Sequence, residues 1–176
     1  MTIYVPAVAD GYEWINACDN NDYETFLQLD GRSRLADWSP IKVRRVRADG
    51  RQRFIPSDFP WLESHVLIMR RTATDALRDI PVANGEILPL LTDDNVELVV
   101  FNSRVVDALD ESRSSLVKFP ETNRIMHIDR VAFIEAVIEG IDIFRLPHRA
   151  SSTYVSNRFV ERVNKAGLRG LEFNRV

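Results

Sequence analysis

Apolar positions along the chain fall into two patterns, short continuous or alternating runs and stripes at helical spacing, and the switches between them mark its elements. The clearest case is C-terminal. Thr153-Tyr154-Val155 is a strand pattern, Phe159, Val160, Val163 and Ala166 recur on one helical face, and Leu171-Glu172-Phe173 alternates again. Ser156 stands where its hydroxyl can accept from the first-turn amides, and Gly167 can take the left-handed conformation that ends a helix. The expected unit is strand, capped helix, strand.

Upstream the same reading gives a first strand at Ile3-Tyr4-Val5 and a short helix over 22–29, with Phe26 and Leu27 facing inward and Asp30-Gly31 ending it. Residues 41–47 and 51–55 read as the arms of a hairpin through Asp49-Gly50, a dipeptide that tolerates positive φ. The turn Ser57-Asp58-Phe59-Pro60-Trp61-Leu62 reads as a core plug with Phe59 and Trp61 buried. His65-Val66-Leu67-Ile68-Met69 is a continuous apolar run, the pattern of a strand covered on both faces. Thr72 is placed to cap a helix that buries Ala73, Ala76, Leu77 and Ile80, with Asp75 completing the cap and Pro81 ending the helix. After Asn84-Gly85 comes a strand over 86–91, which Pro89 assigns to a sheet edge or a bulge. Residues 96–102 form another strand after the 92–95 turn, and 115–119 with 125–129 form a hairpin around 120–123. Residues 131–140 read as a strand passing into a helical turn stopped by Gly140, and 141–146 as a strand ending at Pro147. The fold class is α+β: one domain over 1–176, mainly antiparallel β-sheet, with a few short helices and the C-terminal strand-helix-strand unit.

Composition leaves that picture intact. With 176 residues, 45% hydrophobic and 28% charged, the chain has the size and make-up of one globular domain. It shows no Pro/Ser/Gly-rich linker, no leader pattern and no run of about 18 apolar residues. A cytoplasmic protein that does not enter the membrane is the expectation. The single cysteine, Cys18, rules out an internal disulfide framework and reads as a small half-buried hydrophobe.

Charge changes the picture more. Net charge is −3, but residues 1–31 hold Asp10, Glu13, Asp19, Asp22, Glu24 and Asp30 with no lysine or arginine, while Lys42, Arg44, Arg45, Arg47, Arg51 and Arg53 crowd together against Asp49 alone. Either the two segments lie side by side and neutralise each other, or one docks a partner of opposite charge. The candidate partner-binding residues are Asp19, Asp22 and Glu24 on the acidic side and Arg44, Arg45 and Arg47 on the basic side. The basic run lacks interleaved aromatics and the chain as a whole is acidic, so nucleic-acid binding is a minority reading.

Chemistry is sparse. His65, His127 and His148 lie far apart in sequence and outside any metal-ligand spacing. The Asp107, Asp110 and Glu111 cluster lacks the glycine and alternating oxygens of a calcium loop. His127 and Asp129 could share a strand face as an acid/base pair, but neither a nucleophile elbow nor a phosphate loop accompanies them. The expectation is a protein without catalysis, cofactor or metal.

The pattern of Asp30-Gly31, Trp38, Ser57-Asp58-Phe59-Pro60, Glu86 with Leu88-Pro89, Phe101-Asn102, Val106-Asp107-Ala108-Leu109-Asp110, Ile143-Phe144-Arg145-Leu146-Pro147 and Gly167-Leu168-Arg169-Gly170-Leu171-Glu172-Phe173 resembles a bacterial family. This is immunity family eleven of the polymorphic toxin systems, once catalogued as a domain of unknown function. The resemblance spans nearly the whole chain and rests on the order and spacing of short motifs. It implies an α+β protein that binds and neutralises a cognate toxin or effector by direct contact, with a homo-oligomer compatible. Competing readings are an adaptor or chaperone for a secreted effector, and a small hydrolase.

Overall fold

The computed structural model describes residues 1–176, apart from the side chains of residues 81 and 82. In chain order the elements are β1 (Ile3–Val8), β2 (Trp14–Ala17), α1 (Asn20–Leu27), β3 (Ile41–Val46), β4 (Ala48–Asp49), β5 (Gln52–Arg53), β6 (Leu67–Arg70), α2 (Arg71–Leu77), α3 (Asp79–Asn84), β7 (Gly85–Thr92), β8 (Leu98–Ser103), β9 (Ser115–Lys118), β10 (Ile125–Arg130), α4 (Glu135–Ile138), β11 (Ile143–Phe144), β12 (Tyr154–Ser156), α5 (Asn157–Lys165) and β13 (Leu171–Arg175). The chain is an α+β protein. Its five-stranded sheet, ordered β2-β3-β7-β8-β6, is antiparallel except for the parallel β3–β7 pair, and its four-stranded sheet, β11-β12-β1-β13, is antiparallel throughout. The β9–β10 hairpin stands apart as a two-stranded sheet.

Strand alternation divides the core. In β6 and β8, Ile68, Leu98 and Val100 join Ile41, Val43, Leu88 and Leu90 beneath Phe26 and Leu29 from α1 and its exit. Leu67, Met69 and Phe101 point the other way, into a second cluster with Leu77 of α2, Phe159 and Val163 of α5, and Ile143 and Val155 of the four-stranded sheet. Both faces of β6 and β8 are therefore dry, which accounts for the unbroken run at 65–69. Ile3, Phe144 and Tyr154 use the opposite face of the four-stranded sheet to build a third cluster with Ala108, Ile138 and Leu146. Phe133 packs edge-on to both Phe144 and Tyr154, at ring-centre distances of 5.4 and 5.0 Å.

The C-terminal unit forms as its sequence predicts. Ser156 Oγ accepts from the Phe159 amide at 3.2 Å, and Gly167 ends the helix at φ +66°. β12 and β13 lie on either side of β1, each antiparallel to it, so they run parallel to each other with the first strand of the chain between them. Gly170, at φ +110°, lies against Ser57 so closely that a Cβ would overlap the serine side chain.

Several elements differ from the sequence reading, each for a physical reason. The 41–55 hairpin does not run as one ribbon: the buried Ile41 and Val43 pull β3 into the sheet between β2 and β7, and only β4 and β5 pair around the Asp49-Gly50 turn. β7 is the middle strand of its sheet despite Pro89. The pairing with β3 begins at Leu90, and the Pro89 carbonyl faces that same side, accepting from Trp38 Nε1 at 2.8 Å. A residue's nitrogen and carbonyl point the same way in a strand, so the missing N–H falls where β3 has not yet begun. α1 starts earlier than expected, capped by Asp19, whose Oδ1 accepts from the Asn21 amide at 2.8 Å. Thr72 caps nothing; it donates to Asp58, α2 starts one residue before it, and the helix breaks at Arg78 before α3. Residues 131–134 pair only through a bridge from Phe133 to Leu109 before α4, and β11 is confined to Ile143–Phe144. β2, unrecognised in the sequence, is a short edge strand of mixed polarity. Trp61 is half-buried and Cys18 is exposed.

Leu77 is fully buried in the second cluster. Leu77→Ala is expected to cost about 2–5 kcal/mol, read as a fall of several degrees in the thermal midpoint. An unchanged midpoint would contradict its place in the core.

Candidate partner-binding surfaces

The acidic N-terminal segment and the basic run become neighbours, since β2 pairs with β3, yet they do not cancel residue by residue. α1 lies over the face carrying Ile41 and Val43, so alternation turns Lys42 and Arg44 to the opposite face, where their side chains are 59% and 72% exposed. Their counter-charges come from elsewhere. The parallel β3–β7 pairing sets the turn after β7 beside the basic row, and there Asp93 meets Lys42 at 2.9 Å and Arg44 at 3.7 Å. Asp94 accepts from Arg45 Nε at 3.0 Å and lies 3.7 Å from Arg47. The hydrogen bond from Lys42 holds the Asp93 carboxyl below its ordinary range, and the one from Arg45 does the same to Asp94.

Arg45 differs in kind from Arg44 and Arg47. Its side chain is 9% exposed and lies between Asp94 and Glu13, which it meets at 2.9 Å. Glu13 is itself 1% exposed and also accepts from Arg70 and from the Ser57 amide at 3.1 Å. A buried carboxylate tolerates its position only while these donors remain. Arg45 is thus a structural partner of Glu13, whereas Arg44, Arg47 and the exposed Arg51 and Arg53 of the β4–β5 tip form an outward basic face.

On the other side of the sheet, Asp19 is engaged as the cap of α1, Asp22 sits half-buried in its first turn, and Glu24 is exposed, accepting from Arg149 Nη2 at 2.6 Å. Beside the helix runs a groove of about 540 Å³ lined by Asp22, Asp30, Arg34, Asp37 and Trp38 among others. Asp19, Asp22 and Glu24 therefore share one helix and one side of the molecule, and Lys42 and Arg44 lie on the other, with Arg47 exposed beyond the end of β3.

Apart from His65, which is buried, and His148, which is half-buried, the candidate chemical groups are engaged locally or exposed. His127 Nε2 and Asp129 Oδ1 are 3.3 Å apart, but both side chains are more than half exposed. Asp110 accepts from Ser112 and Arg113, each at 2.6 Å, and these bonds pull its carboxyl down to about 2. Glu111 accepts from Lys118 at 2.6 Å. Among the described residues no three His, Cys, Asp or Glu side chains are grouped to hold a metal ion, and no helix is long and apolar enough to cross a membrane. Two buried charges are not anticipated as such: Asp142, and Arg145, which the sequence shows only as part of the 143–147 motif. Asp142 accepts from Ser156 Oγ at 2.6 Å and from Arg158 Nε at 2.9 Å. Neither carries a local signal, because their partners are remote in sequence or exposed until the chain folds.

Residues 101–176 match the model of the Immunity protein family (Imm11), the family that the chain resembles by its motifs. The match begins inside β8 and takes in the β9–β10 hairpin, α4 and the β11–α5–β13 unit. No curated protein matches the chain.

His65 is buried with its Nε2 unpartnered, and burial, reinforced by Arg145, lowers its pKa to about 4. The unfolded chain therefore takes up this proton near 6.5 and the folded one only near 4, so the stability linked to neutral His65 is complete above pH 6.5 and declines as pH falls through that window. The decline reaches at most about 3 kcal/mol. Denaturant titrations from pH 7 to 4 should show a shallower loss in His65→Leu than in the wild type, and parallel curves would remove His65 as the cause.

Proposed function

We propose that this protein is an immunity protein that binds a cognate bacterial toxin by direct protein–protein contact and silences it inside the producing cell, without catalysis of its own. The match of residues 101–176 to an immunity family carries the reading. The surface is compatible with it: the ionisable groups picked out for chemistry there, His127, Asp129, Asp110 and Glu111, are paired locally, and charge is sorted onto two faces. The docking face we favour is the acidic side of α1, with Asp22, Glu24 and the adjoining groove, which suits a toxin that is basic where it meets nucleic acid. Opposed fields raise the rate of encounter more than they slow release.

Co-expression with the toxic domain encoded beside its gene should restore growth, and the two purified proteins should form a stable complex. Binding only to an effector's delivery domain, with no protection, would make the protein an adaptor instead.

The face is tested by rates. Asp22→Asn with Glu24→Gln leaves the Asp19 cap in place and opens only an exposed ion pair, of the kind worth about 0–1 kcal/mol. Association should slow several-fold at low salt, with dissociation little changed, and the two curves should converge near 1 M salt, where the Debye length is about 3 Å. Equal rates at every salt concentration, together with slowing by Arg44→Ala and Arg47→Ala, would move the interface to the basic face.

A further inference from the structure

Arg145 is 3% exposed and has no carboxylate in contact among the described residues. It follows β11, its backbone amide donating to the Arg104 carbonyl at 2.9 Å and its carbonyl accepting from the Val106 amide at 2.8 Å. The side chain turns inward, Nη1 donating to the Leu29 carbonyl at 2.7 Å and Nε to the Ser151 carbonyl at 3.1 Å. Nη2 finds no acceptor among the described residues. Two neutral carbonyls orient a guanidinium but do not neutralise it, and a buried cation without a counter-charge is costly. Burial lowers its pKa to about 10, against the opposing field of Asp30, yet at neutral pH it remains charged.

Arg145 lines a cavity of about 310 Å³ between the end of α1 and residues 146–149. Two carboxylates also line it, and both are occupied. Glu24 is held by Arg149 at 2.6 Å, and Asp30 lies 3.4 Å from Arg34 and 3.5 Å from Arg32. His148 on the wall is lowered by burial and by Arg145, which leaves it neutral at pH 7. The uncompensated charge of the cavity is that of Arg145, set among Leu27, Val105 and Pro147.

We propose that this cavity is a seat for an acidic side chain, Asp or Glu, presented by the protein partner, with Arg145 as its prefixed cation. The inference rests on the immunity reading for the source of that side chain, but the site is tested without the toxin. The free Nη protons would donate to the incoming carboxylate, the geometry in which guanidinium is most selective.

The probe is N-acetylglutamate N-methylamide, whose side-chain carboxylate is its sole charge, titrated into the isolated protein with the arginine side-chain nitrogens observed by NMR. The Arg145 signals should shift saturably in the millimolar range, while those of exposed Arg44 move linearly. The glutamine analogue should leave Arg145 unmoved. Leu27→Trp, which fills the cavity mouth and spares Arg145, should reduce the saturable response at least tenfold with the fold retained by melting. A linear response in the wild type, or a saturable one that survives Leu27→Trp, overturns the proposal. Inorganic phosphate saturating tenfold more tightly than the carboxylate would assign the seat to phosphoanions and likewise overturn it. Failure of the toxin to bind while the titration saturates would remove the immunity reading alone; a toxin complex with a linear titration would remove this inference alone.

Discussion

One buried carboxylate holds the larger sheet in shape. Glu13 immediately precedes β2, at one edge of the five-stranded sheet, yet it accepts from Arg70 at the end of β6, the opposite edge, and from Arg45 of β3 next to its own strand. The sheet must therefore curl until both edges come within reach of a single side chain. The 55–62 segment fills the seam: its backbone bridges β2 through Trp14 and Trp61, the Ile15 amide donates to the Trp61 carbonyl at 2.7 Å, and the Ser57 amide completes the shell of Glu13. An ionised group in this position is stable only when its donors are fixed beforehand. Hydrophobic packing in the first cluster and ion pairing at the seam thus demand the same curvature.

That requirement also explains how charge is distributed. The cationic character of β3 is divided between a residue consumed by the seam, Arg45, and residues turned outward, Arg44 and Arg47, with Asp93 and Asp94 moderating both sets. The acidic segment is divided the same way, since Glu13 is inside, Asp22 half-buried and Glu24 outside. Sequence proximity of opposite charges said little about which pair would meet. The decisive step is the parallel β3–β7 pairing, which delivers a distant turn to the basic row.

Legibility in the sequence followed the range of the interactions. Where a local cap, an apolar stripe and a glycine stop agreed, as from Thr153 to Phe173, the element formed as read, and the β9–β10 hairpin and the apolar run at 65–69 were equally plain. Where long-range pairing decided, local signals failed. Pro89 argued against a central strand because nothing nearby shows that β3 begins only at its neighbour, and Asp49-Gly50 suggested a long hairpin because the pull of Ile41 and Val43 toward the sheet lies outside the turn. Among the candidate interface residues, exposure of Arg44, Arg47 and Glu24 could be anticipated from their charge, but the burial of Arg45 depends on Glu13, thirty-two positions away.

The placement of β1 between β12 and β13 has a consequence for the order in which the molecule can be assembled. β1 pairs with β12 on one edge and β13 on the other, so both of its hydrogen-bonding edges stay open until those strands have been made, and closure of the smaller sheet joins Ile3 to Ser156 and Tyr4 to Arg175, contacts of very long sequence separation. The segment that carries the family match supplies three strands of that sheet, and the strand that joins β12 to β13, β1, lies outside it.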